Sequence, residues 1–198
     1  MSPARGRTSA DEIVAAGREL LEAGGLDAVT MQAVAGRVGV RAPSLYKRFS
    51  GRAALIAAMI SSILEELRTS LATAAEDPDP VAGLRSMATR YRSYALAHPR
   101  AYALAYTDLP ADHRPSAEEN ARAAAPLLVL TARVVGPDRA LEAARLLTAF
   151  VHGFISMELA GAFRLGGDVE TAYGFGVEVI TAALAEGLLP EGSVEVRA

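Results

Sequence analysis

At 198 residues the chain is long enough for one medium domain or two small ones, and with 51% apolar residues it can bury a substantial core. It contains no cysteine, which excludes disulfides, zinc–thiolate sites and thiol catalysis. The net charge of −3 hides an asymmetry: residues 1–52 carry eight Arg/Lys against five Asp/Glu, leaving twelve against eighteen in residues 53–198. A basic end and an acidic remainder suggest one face that meets polyanions and a body that phosphate repels. No unbroken apolar run reaches the roughly 18 residues of a membrane span. The first eight residues, Met-Ser-Pro-Ala-Arg-Gly-Arg-Thr, lack the apolar core of a signal peptide, so a cytoplasmic chain with no membrane partner is expected.

Period-2 alternation is missing, and Ala/Leu/Glu/Arg-rich segments favour helix throughout. The first helix is expected from Ser9 to Ala23, opened by the Ser9–Glu12 capping box and closed by Gly24-Gly25. Thr30 caps a short second helix, Met31 to Val38, which Gly39 breaks. A third short helix starts at Ala42-Pro43, with proline in its first turn, and ends around Phe49. Ser50 caps a long helix from Gly51 to Ala75, which the Glu76–Pro80 segment ends. Helices over Val81–Ala97 and Arg100–Thr107 follow, then a loop from Asp108 to Ser116. The helix over Ala117–Val135 carries Pro126 as an expected kink, and Gly136-Pro137 breaks the chain again. The last two helices span Asp138–Leu165 and Asp168–Glu186, with a frayed tail after Pro190. The expected fold is all-α: a three-helix N-terminal domain, then a C-terminal helical bundle, about nine helices in total.

The informative stretch is residues 29–55. Two short helices meet at Gly39, and Val34, Val38, Val40, Leu45 and Phe49 can share an interior with Ile13, Leu20 and Leu26. That is the pattern of a helix-turn-helix, whose second helix offers its start to the major groove. Arg41, Ala42, Ser44, Tyr46, Lys47 and Arg48 fall outside the buried set. Arg41 is suited to reading guanine, and Lys47, Arg48 and Arg52 supply charge for phosphates. Backbone amides at the helix starts marked by Thr30 and Ser50 can hold phosphate.

Thr30, Gly39-Val40, Leu45-Tyr46-Lys47-Arg48-Phe49, Arg52 and Leu55 together resemble the TetR family of repressors over about residues 9–58. The resemblance implies that Thr30 and Tyr46 contact phosphates and that Arg52 takes the role of the usual lysine. It also implies that Gln32, Arg41, Ala42, Pro43 and Ser44 face bases or flanking backbone. Arg48 stands where histidine is common, and Gly51-Arg52-Ala53 replaces the usual Ser-Lys-Glu, which leaves the operator preference open.

In the C-terminal half, apolar residues occupy more than one face of the last two helices. Leu141, Ala144, Thr148, Val151, Ile155, Leu159 and Ala162 form one stripe, and Leu147, Phe154 and Gly161 a second. Tyr173, Val177, Ile180 and Leu184 line one face of the last helix, and Phe175, Val179 and Ala182 another. A helix apolar on two sides needs partners on two sides, which points to a homodimer through residues 138–165 and 168–186. Val151-His152-Gly153 resembles the Trp-His-Gly of one type of TetR-family C-terminal domain. Met87, Tyr91, Tyr94, Tyr102, Tyr106, Phe150, Phe154 and Met157 are candidate ligand-binding residues, with tyrosine hydroxyls to orient a small molecule and apolar walls to desolvate it.

His98, His113 and His152 lack any metal-ligand spacing, and no nucleophile–base pair or phosphate-binding glycine loop appears, so neither an enzyme nor a cofactor or metal is expected. The expected protein is a ligand-responsive regulator that binds palindromic double-stranded operator DNA as a dimer. Residues 1–52 would form the DNA-binding domain and residues 53–198 the ligand-binding and dimerisation domain. The rival reading is a ligand-binding helical dimer whose head no longer binds DNA.

Overall fold

The computed structural model describes residues 8–107 and 114–187. The first seven residues, the loop segment 108–113 with His113, and the tail that holds Pro190 lie outside the described residues, along with the expectations that fall on them. All regular structure among the described residues is helical: α1 (Ala10–Gly24), α2 (Met31–Arg37), α3 (Ala42–Leu45), α4 (Arg52–Ala75), α5 (Pro80–Ala97), α6 (Pro99–Ala105), α7 (Ala117–Val135), α8 (Ala140–Leu159) and α9 (Val169–Ala185). Three-residue 3-10 turns at Leu26–Ala28 and Pro137–Arg139 complete the order. The chain divides into two compact units, residues 1–69 with 94–123, and residues 70–93 with 124–198.

The first unit is organised by one apolar cluster. Ile13, Val14 and Leu21 of α1, Met31 and Val34 of α2, Leu45 of α3, and Leu55, Met59, Ile60 and Ile63 of α4 are all buried in it. Val38, Val40, Leu20, Leu26 and Phe49 pack half-buried against its edge, as the sequence pattern requires. α3 has only four residues, too few to stand as a helix on its own. It is held by fully buried Leu45 and by one further turn, closed where the Phe49 N–H donates to the Leu45 carbonyl at 2.9 Å. The turn between α2 and α3 has a definite chemistry. Gly39 adopts φ +71°, its N–H donates to Gly36, and the Val40 N–H donates to Ala35. This paired closure ends α2 and aims the chain into α3. α6 also enters this core through Ala101 and Leu104. The Glu22 carboxylate at the end of α1 accepts from the Ala101 amide at 2.7 Å, and the Arg100 guanidinium donates back to the Glu22 carbonyl at 2.8 Å.

The second unit is built from the end of α4, most of α5, the part of α7 from Ala124 on, and α8 and α9. Its buried residues include Leu71, Leu84, Met87, Leu130, Leu147, Val151, Ile155, Tyr173, Val177 and Leu184. Gly83 of α5 lies so close to the end of α4 that an added Cβ would sit 2.7 Å from the Ala74 carbonyl oxygen and 2.8 Å from Leu130. A carbonyl already fixed in a helix cannot step aside. Gly83→Ala is therefore expected to destabilise the chain by about 1–3 kcal/mol, read as a lower thermal midpoint. A variant that melts with the wild type would show that the two helices separate freely.

One expectation is corrected. α8 ends at Leu159, not Leu165. Gly161 turns to φ +63°, and the Gly161 and Ala162 amides close onto the Glu158 and Met157 carbonyls, a glycine stop well before Gly166-Gly167. α7 has the expected bounds, Ala117–Val135 with Pro126 inside it, and is opened by a second capping box between Ser116 and Glu119. The segment Pro137–Leu159 reaches a mean hydropathy of 1.2 and is long and apolar enough to cross a membrane by length and composition alone. Charges such as Glu142 and Arg145 interrupt it, so it holds no unbroken apolar run of that length. Core and interface helices of proteins outside membranes have the same composition.

Candidate nucleic-acid interface

The segment after the α2–α3 turn is almost wholly on the surface. Arg41, Pro43, Ser44, Tyr46, Lys47 and Arg48 are exposed, with Tyr46 at 55%. Leu45 in their midst is buried, and Ala42 is half-buried against the core. One apolar anchor thus turns its polar and cationic neighbours outward. Thr30 and Gln32, at the start of α2, are also exposed. The Thr30 hydroxyl oxygen accepts from the Ala33 amide at 3.1 Å and so caps α2. Arg52 is exposed and also holds two backbone carbonyls. Its Nε–H donates to the Val29 carbonyl at 2.7 Å and its Nη2 donates to the Leu26 carbonyl at 2.6 Å.

Behind this face, Arg18 of α1 pairs with Glu66 of α4 and donates to Ser62 and to the Tyr94 hydroxyl. Burial, and next the adjacent Glu66 carboxylate, push the Tyr94 hydroxyl up to about 12. Tyr94 is thus a neutral hydrogen-bonding core residue of the first unit. Glu119 is held below the usual carboxylate range by the Ser116 amide first, and then by the Ser61 and Ser116 hydroxyls.

The eight aromatic and methionine candidates for ligand binding divide between the units. Tyr94, Tyr102 and Tyr106 belong to the first, and Met87, Tyr91, Phe150, Phe154 and Met157 to the second. Met87 and Tyr102 are buried, whereas Tyr106 and Met157 are nearly half exposed. In the second unit, Phe150 and Phe154 gather around Tyr173 of α9, with ring centroids 6.0 and 5.2 Å away, and Phe163 adds a ring 4.7 Å from Phe154. Arg92 of α5 lies over the Tyr173 ring at 5.2 Å and forms a two-pronged pair with Glu158 of α8, at 2.8 and 2.6 Å. The Tyr173 hydroxyl donates to the Ala88 carbonyl at 2.7 Å, and burial holds its proton on far above the ordinary range. Sequence reasoning missed Arg92, Glu158 and Phe163 and read Tyr173 only as apolar. Residues 66 positions apart on different helices leave no local signal of their pairing.

His152, half-buried on α8, is depressed below its ordinary 6.5 by burial. The fold therefore favours neutral imidazole, while the unfolded chain takes up the proton readily below 6.5. This contribution to stability is complete above that value and is lost as pH falls below it. The thermal midpoint is expected to drop between about pH 7 and pH 5, and His152→Gln to flatten that drop. A drop of equal size in the variant would assign the effect to other groups.

Residues 13–59 match the family model described as bacterial regulatory proteins, tetR family, and residues 84–180 match the tetracycline repressor-like C-terminal domain. The chain is 30% identical over 169 residues to the tetracycline repressor protein class A from transposon 1721 of Escherichia coli, covering 81% of this chain and 73% of that protein. It is 28% identical over 168 residues to the HTH-type transcriptional regulator Rv0681 of Mycobacterium tuberculosis, covering 83% and 75%. Among solved structures, regulatory protein SCO4313 superposes with a TM-score of 0.73 at 27% identity, over 86% of this chain and 94% of that one. A single-residue variant of TetR from Acinetobacter baumannii AYE, in complex with minocycline, shares the fold, with a TM-score of 0.69 at 23% identity, over 92% and 99%.

Helix-turn-helix geometry, a cationic outer face and a separate helical body define the DNA-binding transcription regulators. The chain belongs to the TetR family of these regulators.

Proposed function

We propose that the protein is a repressor that binds palindromic operator DNA as a homodimer and is released by a small molecule held in its C-terminal domain. The observation that carries this reading is the exposed segment Arg41–Arg48, fixed from behind by buried Leu45. Thr30, Tyr46, Lys47 and Arg48 contact phosphates, and Gln32, Arg41, Ala42, Pro43 and Ser44 face bases or the backbone beside them. Residues 1–52 supply DNA binding, and residues 53–198 supply effector binding and dimerisation. The dimer forms through residues 138–165 and 168–186. Leu141, Leu146, Met157 and Leu159 on the first of these stretches, and Phe175 and Val179 on the second, are large apolar side chains left exposed, which supports that assignment.

The effector contacts Met87, Tyr91, Phe150, Phe154 and Met157. The second-unit aromatic group supports that choice, and Tyr94, Tyr102 and Tyr106 stay with the first unit. Release follows if the effector binds more tightly to a dimer whose two recognition segments no longer match successive major grooves. The protein acts in the cytoplasm by binding rather than by catalysis. Selection of bound duplexes from a random pool tests the reading. A two-fold symmetric site is expected, and enrichment of no sequence, or of an asymmetric one, would overturn it.

A further inference from the structure

We infer that Arg52 is a positioning residue that sets the entry of α2; this rests on the DNA-binding reading above. Arg52 is the first residue of α4, and its guanidinium spans two carbonyls, Val29 and Leu26, at 2.7 and 2.6 Å. Those carbonyls bracket the 3-10 turn Leu26–Ala28 and end one residue before Thr30, the cap of α2. Val29 itself is fully buried, so the backbone at this point has a fixed inner side, and Arg52 fixes the outer one. The two contacts together determine where α2 starts, and with it the placement of Thr30, Gln32 and the turn that leads to Arg41.

The chemistry discriminates the two roles. A phosphate contact keeps its charge when lysine replaces arginine, and whatever it loses in bidentate geometry it loses on every DNA sequence alike. A clasp over two carbonyls needs donors diverging from a planar fork, which a single ammonium does not reproduce. The departure from the family's usual lysine at this position then keeps the charge and adds a fork that reaches two carbonyls.

The test uses the full chain, a duplex selected by the wild type from a random pool, and a scrambled duplex of equal length. Arg52→Lys and Arg52→Ala are both expected to reduce the ratio of selected to scrambled affinity about tenfold, because a shifted α2 misaligns the base-reading residues. The slope of log K against log salt is expected to stay at the wild-type value in Arg52→Lys. Partial unfolding would lower both affinities equally and leave the ratio alone, as would loss of a phosphate contact. A wild-type ratio in either variant overturns the inference, as does an Arg52→Lys protein that binds like wild type. If the wild-type chain captures no DNA, the regulator reading fails by itself. The clasp is then decided by amide exchange. Protection from Val29 to Val34 is expected to fall in Arg52→Lys, and unchanged protection overturns it.

Discussion

The double variant Lys47→Ala, Arg48→Ala is expected to lose affinity for operator and random DNA alike, on the order of a hundredfold at moderate salt. Both side chains are exposed on the segment that buried Leu45 pins to the core, so their removal leaves the fold intact. A homodimer presents each residue twice. If all four charges neutralise phosphates, the slope of log K against log salt falls by about 3.6. Arg41→Ala should behave differently. A guanidinium that reads a base edge contributes about 1–3 kcal/mol of discrimination, so its loss relaxes preference at one position per half-site. Binding titrations at four or five salt concentrations separate the two patterns. An unchanged slope in the double variant would remove Lys47 and Arg48 from the interface.

The second large effect lies in the body. The Arg92 and Glu158 side chains are 14% and 16% exposed and meet through two hydrogen bonds, and Arg92 also covers the Tyr173 ring. Glu158 is the main reason that Arg92 holds its proton above the usual arginine range. Removing one partner leaves the other charge desolvated and unpaired. Arg92→Met or Glu158→Gln alone is expected to cost about 3 kcal/mol. For a chain of this length that lowers the melting midpoint by roughly 6–12 °C. The double variant should lose clearly less than the sum, because no orphaned charge remains. Strict additivity with small single effects would make the pair an ordinary surface contact, worth under about 1 kcal/mol.

Much of the head was legible from local chemistry. The Ser9–Glu12 box, Gly39 at the turn and the apolar spacing Val34, Leu45, Leu55 are short-range signals, and each appears as read. The outward set around Tyr46 followed from the same spacing. Residues whose role depends on a distant backbone were not legible. Nothing near Arg52 in sequence announces that its guanidinium meets the Leu26 and Val29 carbonyls. The end of α8 was misplaced because Gly161 and Gly166-Gly167 are equally good stops on paper, and the first in chain order took effect. One apolar stripe assigned to α8 mixes buried Val151 and Ile155 with exposed Leu141 and Leu159. Neighbouring stripes on a helix differ by a small rotation, and only packing selects between them.

α6 completes the wall against which α1 rests, through Ala101, Leu104 and the reciprocal end contacts of Glu22 and Arg100. Anyone grafting this reading head onto a foreign sensor inherits that debt. A transplant cut after residue 59, where the family match stops, would remove Ala101 and Leu104 from the cluster that buries Ile13 and Leu21. A serviceable cassette must carry residues 94–105 as well, or redesign the patch they leave bare.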